Sequence, residues 1–361
     1  MKIGIIGSRG IPNHYGGFEQ FAERFSVYAA AKGHEVAVYC SSLHPNRDPE
    51  FCGVKRIQVY DAENRIGSAG QFVYDLNCTM DARNQGFDVL LQLGYTSSSV
   101  WNFLIPASMK LITNMDGMEW KRSKYNALTK LFLKQAESLA VKHSSMLIAD
   151  SIAIADYLNH TYDRKAVYIP YGADLFEQPD ERILKQYGLL AFSYHLLIAR
   201  MEPENNVEMI IQGQLQSGSP FPLLIVGNTT TAFGKYIRKK YESPLVRFTE
   251  GIYDHQVLNN LRHFSRIYFH GHSVGGTNPS LLEAMAAGAL IAAHENLFNQ
   301  YVLSNNAFYF RDASGVAQWM LHHQLERETF VSGNLHRIQE NYTWTKIHNQ
   351  VLAQLTALVY A

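Results

Sequence analysis

The sequence predicts an α/β protein made of two doubly wound parallel-sheet domains. Short apolar runs of strand length alternate with segments of helical period along the chain, and such alternation builds parallel sheets joined by crossover helices. The alternation breaks once, between Ile169 and Leu190, and then restarts. At 361 residues the chain has the length for two domains. Its 47% hydrophobic and 18% charged content can fill large cores and argues against disorder.

In the first half, Lys2–Gly7 reads as a buried strand, followed by a loop and a helix over Phe18–Lys32 that stops at Gly33. The pattern continues with strand His34–Cys40, strand Val54–Tyr60, helix Ser68–Asn84, strand Phe87–Leu93, a short helix or turn near Ser97–Ala107, and strand Lys110–Asn114. Helix Ser123–Lys142, strand Ser145–Ala149, helix Ile152–Asn159 and strand Ala166–Ile169 complete it. Leu175–Leu190 is a connection. In the second half, strand Tyr194–Ala199 ends in Arg200, and helix Val207–Gln216 follows. Next come strand Pro222–Gly227, helix Ala232–Tyr241, strand Leu245–Thr249, helix Asp254–His263 and strand Arg266–His270. Ala289–Ala293 and Ala307–Phe310 read as strands, and Ala313–Gln324 and Glu326–Glu340 as helices. The last helix, Thr343–Tyr360, is amphipathic.

Composition excludes several classes. Lys plus Arg equals Asp plus Glu, 32 against 32, which argues against a nucleic-acid binder. Cys40, Cys52 and Cys78 are an odd number without metal-type pairing and fit a reducing cytosol. Strand-like sequence from Lys2 leaves no signal peptide to expect, and no apolar run reaches the roughly 18 residues needed to span a bilayer. The expected location is the cytoplasm, with peripheral contact to the inner face of the plasma membrane as an option.

The richest stretch is Gly275-Gly276-Thr277-Asn278-Pro279-Ser280 followed by an apolar helix carrying Glu283. Two glycines allow close backbone approach to a ligand, Asn278 suits a helix cap, and Pro279 suits the first turn. The free N–H groups of such a helix start can receive an anion, and a carboxylate one turn in can hold the vicinal diol of a ribose. The same residues also make an ordinary capped helix, so both readings stand. Arg200, at a strand's carboxyl end, can clamp a diphosphate. His270 and His272 lack a further ligand at metal spacing, and no Asp-x-Asp pair occurs, so no metal is expected.

In the first half, Gly16-Gly17 directly precedes a helix, with Arg9 and His14 in the same loop, so phosphate or a sugar hydroxyl could be received there. A surface loop with two turn glycines is the plainer alternative. Asp116 and Glu119 follow a strand, on the ligand side of such a sheet. Asp116 could orient an acceptor hydroxyl, serve as a base or cap the next turn. Lys121, Arg122, Lys124, Lys130 and Lys134 form a basic helix face near 121–134, either solvated or resting on anionic lipid. Gly4-x-x-Gly7-x-x-Gly10 invites a dinucleotide reading, but the loop runs too long before the helix and Tyr39-Cys40-Ser41-Ser42 supplies no acid for a ribose.

Together these segments resemble the retaining GT-B glycosyltransferases of family 4 over nearly the whole chain. The resemblance rests on Gly16-Gly17-Phe18-Glu19, on Ile169-Pro170-Tyr171-Gly172-Ala173-Asp174, on Ile198-Ala199-Arg200-Met201-Glu202-Pro203-Glu204, and on Leu281-Leu282-Glu283 with Gly288. The stretches from Ile11 to Glu19 and from His270 to Ser280 are similar to the bacterial rhamnosyltransferase branch of surface-polysaccharide assembly.

The resemblance implies two Rossmann-like domains facing a cleft, over 1–172 and 173–342, with helix 343–361 packing back on the first. It implies transfer of rhamnose or another hexose, with retention, from a UDP- or dTDP-linked donor to a sugar hydroxyl of a growing, lipid-linked polysaccharide. No cofactor or metal is expected. Glu283 would hold the ribose, and Arg200 with the backbone of Gly276, Thr277 and Asn278 the diphosphate. The base would lie near Gly251, Ile252 and Tyr253, and the acceptor would enter from the side of Gly16, Gly17 and Asp116; Arg200, Asp116 and His14 are the catalytic candidates, and Gly16, Gly17, Asn205, His272 and Gly275 join the donor contacts. Three departures stand out. The first carboxylate of the Glu-x7-Glu signature falls at Gly275, the lysine after the arginine falls at Asn205, and the His–Asp pair is Met115-Asp116. His14, His272 or backbone N–H groups would have to compensate. The alternatives are a catalytically impaired nucleotide-sugar binder, a GT-B epimerase and an NAD-dependent dehydrogenase.

Overall fold

The computed structural model describes residues 1–122, 125–252, 254–322 and 326–360. The chain divides into two compact units. The first comprises Met1–Lys121, Tyr125–Tyr171 and Trp344–Ala361; the second comprises Arg122–Lys124 and Gly172–Thr343.

The first unit is built on eight strands: β1 (Lys2–Ile6), β2 (Glu35–Ser41), β3 (Glu50–Phe51), β4 (Val54–Val59), β5 (Val89–Leu93), β6 (Lys110–Asn114), β7 (Met146–Ala149) and β8 (Ala166–Tyr168). Their order is β3-β4-β2-β1-β5-β6-β7-β8, and every pair but β3/β4 is parallel. β1 is central, with Ile3 paired to Val36 on one side and Val89 on the other. Helices cover both faces, so the apolar run Ile3, Ile5 and Ile6 is buried on both. Strand order reverses between β1 and β5, and the chain leaves β1 through Gly7 at φ +85°. A Cβ there would lie 2.2 Å from the Leu93 carbonyl oxygen, so only glycine lets the two strand ends close up.

The last helix, Trp344–Tyr360, lies in this first unit and packs on helix Gly17–Ala31. Trp344 meets Phe21 with ring centres 6.5 Å apart, His348 lies against Phe25 and Tyr28, and the Tyr28 hydroxyl donates to Asn349 at 2.5 Å.

The second unit holds β9 (His195–Ile198), β10 (Leu223–Val226), β11 (Val246–Thr249), β12 (Ile267–His270), β13 (Ile291–His294) and β14 (Phe308–Phe310). Their order is β11-β10-β9-β12-β13-β14, all parallel. The reversal falls between β9 and β12, so the crevice at its carboxyl edge opens where Arg200 leaves β9 and His270 ends β12. Leu197, Ile225, Ile267, Phe269 and Phe308 fill the core beneath.

Several elements differ from the sequence reading. β3 is an added two-residue antiparallel strand, turned back on β4 through Cys52 and Gly53, both at positive φ. The helix expected from Ser123 begins at Ala127, where Asn126 caps it by accepting from the Thr129 N–H. A further helix, Leu297–Leu303, follows β13 under an Asn296 cap. The helix expected over Glu326–Glu340 ends at Arg337 and continues as a π turn over Ile338–Tyr342.

Helices Val207–Ser217 and Ala313–Leu321 pack so closely that a Cβ on Gly213 would stand 2.4 Å from Val316 Cγ1 and 2.9 Å from the Ala313 carbonyl oxygen. Gly213→Ala should therefore destabilise the protein by about 1–3 kcal/mol, the overpacking strain exceeding the roughly 1 kcal/mol gained in helix propensity. Urea unfolding measures this, and equal or raised stability would refute the packing argument.

Candidate functional site

In the second unit, the site is built where β9 and β12 end. Past β9 the backbone turns at once, with the Glu202 N–H donating to the Arg200 carbonyl, and Pro203–Asn205 forms a single 3-10 turn. The Asn205 amide nitrogen donates to the Arg200 carbonyl at 2.8 Å, which turns its oxygen toward His272 Nδ1, also at 2.8 Å. Asn206, at φ +50°, donates to the Gly271 carbonyl at 2.8 Å. Ser273 donates through both its N–H and its hydroxyl to the Glu204 carbonyl. Two adjacent asparagines thus tie the β9 loop to the β12 loop.

This orients His272. An amide oxygen only accepts, so Nδ1 donates to Asn205, and the ring also bonds to the Val274 backbone. Burial pushes its pKa down to about 4, helped by the charges of Arg122 and Arg200. The His272 carbonyl accepts from Asn296 at 3.0 Å and from Asn299 at 3.1 Å, so helix Leu297–Leu303 supports it from behind. Nε2 lies against Gly275, where a Cβ would stand 3.0 Å away. Gly275 itself sits at φ +126°, which L residues rarely adopt.

Beyond Gly275 the chain enters helix Pro279–Ala286. Asn278 caps it, accepting from the Ser280 N–H at 2.9 Å, with Pro279 in the first turn and Thr277 buried beside it. Glu283 follows on the same helix, and its Oε2 accepts from Arg262 Nη2 at 2.6 Å. Its Oε1 lies 3.8 Å from His255 Nδ1. Arg200 is exposed at the carboxyl edge, two residues past the end of β9. Gly251 and Ile252 follow β11 on that edge, half-buried; Tyr253 lies outside the described residues.

In the first unit, the loop before helix Gly17–Ala31 is pinned along its length. The Arg9 N–H donates to Glu19 at 2.8 Å, Arg56 Nε to the Ile11 carbonyl at 2.7 Å, and the Asn13 N–H to Glu23 at 2.5 Å. The Arg9 guanidinium pairs with Glu63 and covers the Tyr15 ring, so it is engaged within the fold. His14 is exposed and packs edge-on against His44. Gly16 is the extended residue before the helix, whose start has no side-chain cap, and Gly17 is its first residue. Asp116 follows β6 at φ +48°, a left-handed conformation that costs a non-glycine residue about 1 kcal/mol, and its N–H donates to Asn114 Oδ1.

Two sequence expectations need correction. Asn205, expected among the donor contacts, has its amide bonded to the Arg200 carbonyl and to His272 and so ties the two loops together. The basic face near 121–134 is also dispersed. Arg122 groups with the second unit, 3.7 Å from Glu202 and 3.9 Å from Glu204. Lys134 bonds to Glu137 and Tyr157 and is ringed by Trp120, Tyr157 and Tyr162. Lys124 lies outside the described residues. What helix Ala127–His143 exposes is chiefly apolar, with Leu128 at 77% and Leu131 at 60% exposure beside Phe132. Among the described residues no helix is long and apolar enough to cross a membrane.

Sequence reasoning missed Arg262, Asn206 and Asn299. Each lies inside a helix or turn, and its partner is distant in sequence, so no local motif marks it.

Two parallel sheets of this order define the GT-B fold. The solved structures that match bear this out over almost the full length. Sucrose-phosphate synthase from Thermosynechococcus elongatus superposes with a TM-score of 0.80 at 16% identity, covering 99% of both chains. HepE of Anabaena, in complex with UDP-glucose, gives 0.76 at 15% identity, covering 98% of this chain and 99% of its own. A trehalose-phosphate synthase from Burkholderia xenovorans, in complex with glucose-6-phosphate, gives 0.74 at 12% identity, covering 99% and 100%. Residues 1–174 match a family model described as a domain of unknown function, DUF1972. No curated protein matches the chain.

Burial holds several histidines below their ordinary pKa of 6.5, His272 and His348 to about 4 and His195 to about 3, with His34, His44, His270 and His294 pushed the same way. Unfolded, each takes a proton near 6.5, so their contribution is complete above that pH and is lost as pH falls toward 4. Buried Asp75, raised to about 7, works the other way over the same window, one group against several. The urea midpoint should therefore be level above pH 7 and decline between pH 6.5 and 5; an unchanged midpoint there would contradict the burial of these rings.

Proposed function

We propose that the protein is a nucleotide-sugar-dependent glycosyltransferase whose second unit binds the donor. The observation that carries this reading is the grouping at one sheet edge of Arg200, the capped start of helix Pro279–Ala286, neutral His272 and the Glu283 carboxylate. Guanidinium and free N–H groups suit a diphosphate, and a carboxylate suits a ribose diol. HepE, solved with UDP-glucose, shares the fold and lends support to a UDP-linked donor, with a dTDP-linked one as the other option.

In this reading the bond from the anomeric carbon to the diphosphate oxygen breaks and a bond to the acceptor hydroxyl forms on the same face, retaining configuration. The acceptor's proton passes to the departing phosphate oxygen. Arg200 and the backbone of Gly276, Thr277 and Asn278 stabilise the charge that develops there, so no metal is required. His272, whose Nε2 lies beside Gly275, contacts a donor-sugar hydroxyl in place of the missing carboxylate. Gly251, Ile252 and Tyr253 border the base.

The first unit takes the acceptor, with Gly16, Gly17 and His14 at the loop and Asp116 orienting the attacking hydroxyl. The acceptor is a sugar hydroxyl of a lipid-linked glycan, rhamnose is the favoured sugar through the family resemblance, and no cofactor or nucleic acid takes part. Exposed Leu128, Leu131 and Phe132 with Lys121 and Lys130 would rest on the cytoplasmic face of the membrane. A second reading, donor binding without turnover, draws on Gly275 and Asn205, where two charged groups of the family are absent.

Thermal-shift measurements with UDP, dTDP, GDP and NAD test the donor site, since a ligand at 100 times its Kd adds about 2.7 kcal/mol. Stabilisation by UDP or dTDP is expected; stabilisation by NAD alone would overturn the reading. With an acceptor in hand, Arg200→Ala should lower kcat by about 10²–10³-fold through lost transition-state stabilisation. Unchanged turnover would remove Arg200 from the mechanism, and donor binding with no transfer to any glycan would favour the second reading.

A further inference from the structure

Arg262 is a buried cation that no motif announces. It lies on helix His255–His263 with 1% of its side chain exposed, whereas Glu283 beside it is 17% exposed. Its Nη2 donates to Glu283 Oε2 at 2.6 Å and to Ser280 Oγ at 3.0 Å, and its Nη1 to Asn259 Oδ1 at 2.9 Å. Ser280 and Glu283 are one turn apart on helix Pro279–Ala286, so a single guanidinium grips one face of that helix. The buried Tyr268 hydroxyl shares Ser280 Oγ at 3.0 Å, and His263 Nδ1 reaches the Ala287 carbonyl at 2.8 Å. Helix Pro279–Ala286 is thus latched at both ends to helix His255–His263.

Burying a guanidinium is expensive, and an apolar residue of similar volume would often serve stability as well. Arg262 Nε even lacks a hydrogen-bond partner among the described residues. What the cation supplies and an apolar residue cannot is a fixed carboxylate at Glu283. A glutamate side chain has three rotatable bonds, and a diol contact needs its oxygens in one place.

We propose that Arg262 is a positioning residue for nucleotide recognition: it anchors one oxygen of Glu283 so that the carboxylate is pre-aimed at the ribose hydroxyls. The inference rests on the proposed role of Glu283 as the ribose contact. Arg262 itself touches no ligand and acts through Glu283 and Ser280.

The test compares UDP with 2′,3′-dideoxyuridine diphosphate by calorimetry on the full chain. In the wild type, UDP should bind more tightly. Arg262→Gln should weaken UDP about 10- to 100-fold, the scale of a lost charged hydrogen bond, and leave the dideoxy compound within about twofold. Arg262→Lys keeps the charge but loses the two-pronged grip, so it should recover part of the preference; it also serves if the glutamine variant does not fold. Glu283→Gln and the Arg262→Gln/Glu283→Gln double variant should show the same UDP affinity.

An equal loss for both nucleotides would mark Arg262 as a structural residue and overturn the proposal. So would full UDP affinity in the lysine variant with its hydrogen bonds lost, or additive losses in the double variant. A wild type that binds UDP and the dideoxy compound equally would sink the ribose role of Glu283, and with no diol contact to aim, the role of Arg262 falls with it.

Discussion

The hydrogen bond between Asn205 and His272 fixes more of the site than any other single contact. It orients the imidazole, joins the loops that leave β9 and β12, and, through the same amide, holds the turn that follows Arg200. Asn206 repeats the tie one residue on, and Gly271 must be glycine for the loops to meet, since a Cβ there would lie 2.1 Å from the Asn205 carbonyl oxygen. The crevice of the second unit is therefore held by neutral amides beneath, and the charged groups stand on that base.

The positions at which the sequence departs from the glycosyltransferase pattern it resembles belong to one local arrangement. Gly275 and Asn205 are seventy positions apart in the sequence, yet both touch His272, one at Nε2 and the other at Nδ1. A carboxylate at 275 would have to be carried at φ +126° with its Cβ against the imidazole. A lysine at 205 would remove the acceptor that orients the ring. Reversing either position alone would therefore damage the site as it stands, and the pair with His272 is better regarded as a single alternative solution than as two separate losses.

Much of this was legible in the sequence, and the limits have physical causes. Buried parallel strands are apolar on both faces, so β1, β5, β6 and β9 stand out as runs, and the Asn278-Pro279 cap marks its helix start by residue type alone. Helix Leu297–Leu303 was missed because two turns between strands carry too few residues to show a period. β3 was missed because two residues have no pattern at all. Arg262 and Arg122 were opaque for another reason: whether an arginine is a solvated charge or a buried latch depends on what the fold brings beside it. Lys134 shows the same point, since the rings around it come from Trp120, Tyr157 and Tyr162.

The placement of the last helix bears on how the chain is made. The first unit is interrupted by the second, and Trp344, His348 and Asn349 of the last helix pack on its face at Phe21, Phe25 and Tyr28. As the polypeptide emerges from the ribosome, residues 1–171 cannot finish their core, whereas 172–343 have all they need before the final helix is translated. The unit that begins first is completed last. A fragment cut at residue 174, where the family match stops, would leave that aromatic face bare and prone to self-association.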